Sequence, residues 1–334
     1  PPPPPPPPPP SFQAEDGIRD IHCSLVGSEM CIRDRHYSAR SLHDSLMCPG
    51  YYMLPGDDHR YRDWKKEGHE EINMISAIEQ SCDVYFYDLA LELGIDRMHE
   101  FMSYFGFGQA TGVDISGEKR GLMPSRDWKR GAFSERSEQV WFPGETLITG
   151  IGQGFMLATP LQLAHATAIL AARGKRYQPR LINAIRDPIT SELIENPPVE
   201  LPSVPVQKSE HWDIVIAGMT SVVHGEHGTA MGIGFGLDYQ IAGKTGTAQI
   251  FTIGQEDEYD AEKVEERLRH HALFIAFAPV EEPTIAIAIV IENAGSGASA
   301  AAPAARAMLD TWFSKDSDSL IATGRPCLLY TSPS

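Results

Sequence analysis

The sequence predicts an α+β domain, with a mainly helical block followed by an antiparallel sheet that helices flank. Three observations carry this. Apolar residues recur at helical spacing through Glu71 to Gln80, Cys82 to Leu93 and Ile95 to Tyr104. Two strongly apolar runs, Leu273 to Ala278 and Thr284 to Ile291, are separated only by a short turn, the pattern of an antiparallel hairpin in a sheet centre. An Ala-rich stretch, 298–313, then closes the chain as a helix able to pack on that sheet.

The 334 residues are 42% hydrophobic and 22% charged, enough apolar content to bury a core in a single domain. The formal charge of -17 argues against a nucleic-acid partner. No run of about 18 apolar residues exists to span a membrane, and no signal peptide is visible. The ends are unusual. Pro1 to Pro10 is a run of ten prolines, and the stretch from Ser11 through Arg35 resembles translated sequencing-adapter read-through, as does Cys327 to Ser334. Residues 1–35 and 325–334 are therefore expected to lie outside the fold, which is placed in 36–324 as a fragment cut at both ends. Only Cys48 and Cys82 then remain within the fold, open to one disulfide, a metal pair or two buried thiols.

Residues 36–70 lack periodicity and read as loop with short strands. The stretch 107–148 is polar and irregular and reads as a surface excursion. Thr159-Pro160 starts a helix that runs to Ala172, with Thr as the cap and Pro fitting the first turn. A Pro-rich connector at 187–206 leads to an amphipathic helix from His211 to Val223. Tyr239 to Ile250 reads as a strand interrupted by Gly243 and Gly246, which suit a bulge or the close approach of another backbone. Between and after them stand Lys244, Thr245 and Thr247. A cation with hydroxyls along a strand edge can seat an extended peptide that bears a carboxylate, or it can be a solvated surface strand. Gly254 to Arg269 reads as a charged insertion.

Lys244-Thr-Gly-Thr247 has company. Ser81-Cys-Asp83, at the junction of two helices, Gly150-Ile-Gly-Gln-Gly154 with Thr159-Pro160, and Gly228-Thr-Ala230 precede it in that order. Taken alone, Ser81 could be a helix cap and Asp83 a first-turn carboxylate stabilised by the helix dipole. As an ordered set, the motifs resemble the transpeptidase domain of class B penicillin-binding proteins, of the cell-elongation type. Arg60 to Lys66, Gly94 to Arg97 and Ile291-Glu-Asn293 share in the resemblance, which covers about 45–314.

The resemblance implies a penicillin-recognising serine transpeptidase fold and acyl transfer between peptidoglycan stem peptides, with β-lactams as ligands. It implies that Lys244 supplies positive charge, that Thr247 and Thr245 hold a terminal carboxylate, and that the Thr247 backbone donates to an oxyanion. Gly246 would lie beside the bound peptide. Ser81 would relay a proton, and Asp83 stands where the family more often has Asn. The family's nucleophile lies in a Ser-x-x-Lys element ahead of Ser81, and this sequence has none there. Ser116-Gly-Glu-Lys119 comes after Ser81 in a Gly-rich loop and reads as a chance match. The resemblance further implies a periplasmic catalytic domain, an inner-membrane anchor and pedestal in a missing N-terminal part, and a glycosyltransferase partner. Other readings are a serine β-lactamase or carboxypeptidase, or a non-catalytic penicillin- or peptide-binding sensor of the same fold.

Catalysis in this family needs no cofactor. Cys48, Asp63, His69 and Cys82 nevertheless offer four zinc-binding side chains, the number a closed structural site requires. Some elongation-type relatives resemble this, with zinc held by carboxylates, a His and a Cys. Cys48 stands where those relatives carry Asp.

Overall fold

The computed structural model describes residues 18–19, 21–22, 45–206, 208–248 and 264–314. From Ser45 onward the chain first makes short strands, β3 (Leu46–Cys48), β4 (Tyr51–Tyr52), β5 (Tyr61–Arg62) and β6 (Glu70–Ile72), which pair β3 with β6 and β4 with β5. They follow β1 (Ile18–Arg19) and β2 (Ile21–His22). Helices α1 (Met74–Gln80), α2 (Asp83–Leu93) and α3 (Ile95–Ser103) come next. Helix α1 begins later than its apolar spacing suggests, because Glu71 and Ile72 are committed to β6. Asn73 then caps it, accepting from Ser76 N–H at 3.0 Å while Ser76 Oγ accepts from Asn73 N–H at 3.0 Å.

The excursion at 107–148 is less irregular than the sequence predicts. It holds α4 (Arg126–Ala132) and leads into α5 (Pro143–Gly150), which buries Thr146, Leu147, Thr149 and Gly150 and packs on α2. Gly150 lies so close to Ala90 that any side chain there would collide with it. Strand β7 (Leu157–Ala158) and α6 (Pro160–Ala171) follow, with Thr159 as the cap. Gln162 on α6 is buried, and its amide faces the carbonyls of Gly106, Gln109 and Arg120 at 3.0, 2.8 and 2.7 Å. One side chain thereby fixes the path of the excursion. The Pro-rich connector also contains structure. Beyond β8 (Arg176–Tyr177), β9 (Ala184–Arg186) and β10 (Leu193–Glu195) form a hairpin, and β11 (Glu200–Leu201) returns to β8.

Helix α7 (Glu210–His224) packs on α1 and on β12 (Ala242–Ala248), which pairs antiparallel with β13 (His271–Ala278), itself paired with β14 (Ile285–Ile291). The sheet order is β14-β13-β12-β2, so β13 lies inside and β14 is an outer strand rather than central. Its apolar run is explained by α6, which packs against it. A π-helical turn, Gly297–Ala301, opens α8 (Ala302–Phe313). The architecture is mixed helix and antiparallel sheet, as the sequence predicts. Among the described residues no helix is long and apolar enough to cross a membrane.

Of the segment expected to lie outside the fold, the four described residues are placed on strands. Ile18–Arg19 pairs with β7, and His22 and Ile21 stand opposite Thr247 and Ala248 of β12. The segment 325–334 and most of the charged insertion lie outside the described residues.

Burial lowers the pKa of His165, His224, His270 and His271, and His270 is pushed down to about 4 by burial and then by the neighbouring His271 charge. Unfolded, the same imidazole has an ordinary value of 6.5, so below it the unfolded chain binds a proton the native state refuses. The stability that neutral His270 contributes is complete above that value and is lost as pH falls toward about 4. In His270→Gln, urea unfolding should lose roughly 1–2 kcal/mol less between about pH 7.5 and about pH 5 than in the parent.

Candidate active site

Ser81 sits between α1 and α2 with φ 57° and ψ 47°, in the left-handed region that costs a non-glycine residue energy. Its N–H continues the α1 hydrogen bonding to Ala77 and Ile78, and Cys82 rather than Ser81 begins α2. The Ser81 hydroxyl is therefore not spent as a helix cap. It meets Lys244 Nζ, which reaches across from β12. Lys244 is 0% exposed, and its ammonium also lies 3.2 Å from the Thr245 carbonyl oxygen.

Asp83 opens α2 and is only 3% exposed, so it is not a solvated first-turn carboxylate. Burial, and then the negative charge of Asp63, push its carboxyl well above the usual range, opposed by the Trp64 N–H, Lys244 and His69. The Trp64 N–H donates to it at 3.3 Å. The same tryptophan turns its indole N–H to the carbonyls of Gln80 and Ser81, at 3.1 and 3.0 Å. Trp64 thus grips both ends of the Ser81-Cys-Asp83 motif, a role no sequence pattern announced. Main-chain donors have no residue signature, although the residue lies inside the Arg60 to Lys66 stretch.

On β12 the burial alternates, with Lys244 and Gly246 buried and Thr245 and Thr247 partly open. Lys244 and Thr247 hence lie on opposite faces, as alternation requires. The Thr245 hydroxyl meets that of Thr229 at 2.8 Å, bringing Gly228-Thr-Ala230 to the same place. The two strand glycines answer to packing. A side chain at Gly243 would strike the Phe274 ring, and one at Gly297 would strike the backbone of Gly246 and Leu273. By contrast, Ser116 and Lys119 are both exposed on a loop, and Glu118 between them accepts from Gly112 N–H at 3.1 Å.

One residue from Ser81 lies a second cluster. Cys48, Asp63, His69 and Cys82 are all buried, and their ligand atoms lie within 4.8 Å of one another. Cys48 Sγ is 3.5 Å from His69 Nδ1 and 3.7 Å from Asp63 Oδ2, and the last two atoms are 3.6 Å apart. Those separations are close to the roughly 3.3–3.8 Å edges of a tetrahedron drawn with zinc bond lengths. The two cysteines are free thiols, so the disulfide alternative is not adopted. Hydrogen bonding from Cys82 leads in drawing the Cys48 thiol down to about 5, while that contact and burial push Cys82 up. Burial works against protonating His69, yet hydrogen bonds to Asp63 and Cys48 raise it to about 9. The cluster could hold a metal ion. Glycine makes the enclosing loop possible: Gly50 and Gly68 adopt φ of 88° and 79°, and a side chain on either would strike the facing backbone.

Trp64 connects the two clusters, with its ring centroid 5.7 Å from that of His69. In Trp64→Phe both indole bonds vanish, and the urea unfolding free energy should fall by roughly 1–3 kcal/mol. A variant as stable as the parent would show that the indole contributes nothing to holding the motif.

Residues 40–310 match the profile of the penicillin binding protein transpeptidase domain. The peptidoglycan D,D-transpeptidase MrdA of Acinetobacter baumannii is 43% identical over 280 residues, covering 83% of this chain and 40% of that protein. The chain spans about two fifths of the length of these curated relatives. Among solved structures, Pseudomonas aeruginosa PBP2 in complex with WCK 5153 superposes with a TM-score of 0.75 at 41% identity, covering 89% of this chain and 62% of that one. Helicobacter pylori PBP2 in complex with MreC does so with a TM-score of 0.71 at 28% identity, over 90% of this chain and 51% of that one.

Proposed function

Because the chain belongs to the class B penicillin-binding protein transpeptidase family, we propose that its 36–324 region serves peptidoglycan D,D-transpeptidation during cell elongation. The observation that carries the proposal is the meeting of Lys244 with Ser81 across two distant parts of the chain. In this reading the whole protein's serine attacks the penultimate D-Ala carbonyl of a stem peptide and D-Ala leaves. An amine of a neighbouring stem then takes the acyl group, completing the crosslink. Lys244 holds positive charge in a buried place, where it favours deprotonated neighbours and draws the terminal carboxylate. Ser81, in contact with it, passes the proton. Thr247 and Thr245 donate to that carboxylate, Gly246 leaves room for the peptide backbone, and Asp83, held by the Trp64 N–H, orients the acyl chain. A main-chain N–H of Thr247 serves the developing oxyanion.

The nucleophile itself belongs to a Ser-x-x-Lys element that no residue before Ser81 supplies here. Periplasmic placement, a membrane anchor, a pedestal and a glycosyltransferase partner are part of the same proposal, as is binding of β-lactams. The MreC complex of the Helicobacter pylori relative supports a place in an elongation assembly. In the full-length gene product, Lys244→Ala should slow labelling by fluorescent penicillin roughly 10²–10³-fold. Unchanged labelling would overturn the assignment of Lys244.

For the buried cluster we propose structural zinc, held by Cys48, Asp63, His69 and Cys82. The ion would supply no reaction step; its chemistry is a closed tetrahedral tie between the 45–69 loop and the residue beside Ser81. The donor set fits in kind, with two sulfurs, one nitrogen and one oxygen converging. Cys48→Ala should lose the bound zinc and melt several degrees lower, read by metal analysis and a thermal scan. A variant that keeps both its zinc and its melting temperature would sink this assignment.

A further inference from the structure

A cavity of about 410 Å³ opens between α4 and the loop that follows it, lined by Arg126, Arg130, Arg136, Gln139, Val140 and Trp141. None of these residues belongs to the cleft or to the metal cluster. The protein is acidic, with 45 carboxylate residues against 28 Lys and Arg, yet this lining has three guanidinium groups and no carboxylate. Arg126 and Arg130 are one helical turn apart and so share a face of α4. Their existing partners are weak competitors. Arg126 meets Asp96 at 3.2 Å with both side chains 59% exposed, and Arg130 meets Asp127 on the solvent side. Arg136 makes no ion pair among the described residues.

The wall is held in advance of any ligand. Lys129, buried among Phe133, Trp141, Phe142 and Phe155, donates to the Val140 carbonyl at 2.7 Å and pairs with Glu145. Gln139 donates to Phe133 O, and the Trp141 indole to Thr146 Oγ1, both at 2.8 Å. This wall is fixed before binding, so the freedom lost on binding is that of the exposed arginines. Guanidinium forks select carboxylate or phosphate, while Val140 and Trp141 give one apolar side that suits an aliphatic stem beside the charge. One side chain joins the segment after the pocket to the loop of the cleft. The Tyr61 hydroxyl touches Gly144, just past Trp141, and Tyr61 leads directly to Asp63 and Trp64.

We propose that this pocket binds a carboxylate of a peptide, and that it holds the second stem peptide of the crosslinking reaction. The inference rests on the transpeptidase reading, because that reaction needs two peptides at once and the β12 edge seats one. The test is isothermal titration of the chain with a soluble disaccharide-tetrapeptide, with inorganic phosphate as a second titrant. The joint variant Arg130→Gln with Arg136→Gln should weaken peptide binding about tenfold and remove its sensitivity to added salt. Arg136→Gln alone, at an exposed position without an ion pair, should give a smaller loss in the same direction and serves if the joint variant folds poorly. Peptide binding that survives both variants but disappears in Lys244→Ala overturns the pocket and leaves the transpeptidase reading intact. Phosphate that displaces the peptide at equal concentration overturns the peptide assignment in favour of a general anion site. Absence of peptide binding to the parent chain overturns the inference, and penicillin labelling of the full-length product then reports on the transpeptidase reading by itself.

Discussion

Lys244 carries its charge with no exposed surface, and much of the domain is arranged to make that bearable. A buried ammonium needs oxygen atoms around it and negative charge near it. The Ser81 hydroxyl and the Thr245 carbonyl supply the oxygens, and the charge of Lys244 in turn opposes the burial that keeps Asp83 protonated. Each can do so only because something else holds it. Ser81 stays in a left-handed conformation between two helices, clasped from outside by the Trp64 indole. Asp83 is buried deeply enough that its own ionisation is suppressed, and it leans on the Trp64 N–H. The lysine, the serine and the carboxylate therefore form one unit of mutual dependence rather than three neighbouring residues.

The 45–69 loop extends that unit to a second level. Its short strands cannot form a core of their own, since β3 to β6 are two or three residues each. What gives the loop a fixed shape is convergence on the cysteine that stands between Ser81 and Asp83. Asp63 accepts from the N–H groups of Lys65 and Val84 at 3.0 and 3.2 Å, so it binds its own loop and the start of α2 together. Gly50 and Gly68 let two backbone segments come together where side chains would prevent it. A metal placed among these donors would tighten an arrangement that hydrogen bonds already outline.

Much of this was legible in the sequence, for identifiable reasons. The apolar runs of β13 and β14, the Thr159-Pro160 helix start and the ordered motifs around Ser81 and Lys244 each have a local signature. The four donors of the buried cluster were readable by residue type. Helix α5 was not, because it buries Thr146, Thr149 and Gly150 beside a single large apolar residue, Leu147, and so shows no apolar stripe. The outer position of β14 was hidden because α6 covers it and makes an outer strand as apolar as a central one. The arginines of the 107–148 stretch read as solvated surface, since their convergence on one cavity depends on Lys129 drawing the Val140 segment inward. Trp64 works through a main-chain N–H and an indole aimed at two carbonyls, and no spacing rule anticipates that.

The contact between Gly297 and Gly246 has a consequence in time as well as in space. Strand β12 carries Lys244, but its ladder partner β13 and the π-helical turn that lies against it are both encoded after it. A chain emerging from the ribosome presents its lysine strand long before the segments that complete the surroundings. The site can be assembled only when the Gly297–Ala301 turn is out, near the end of the described chain. Any nascent or prematurely ended product that stops short of Gly297 would therefore carry every motif residue of the cleft and still lack the backbone that shapes it.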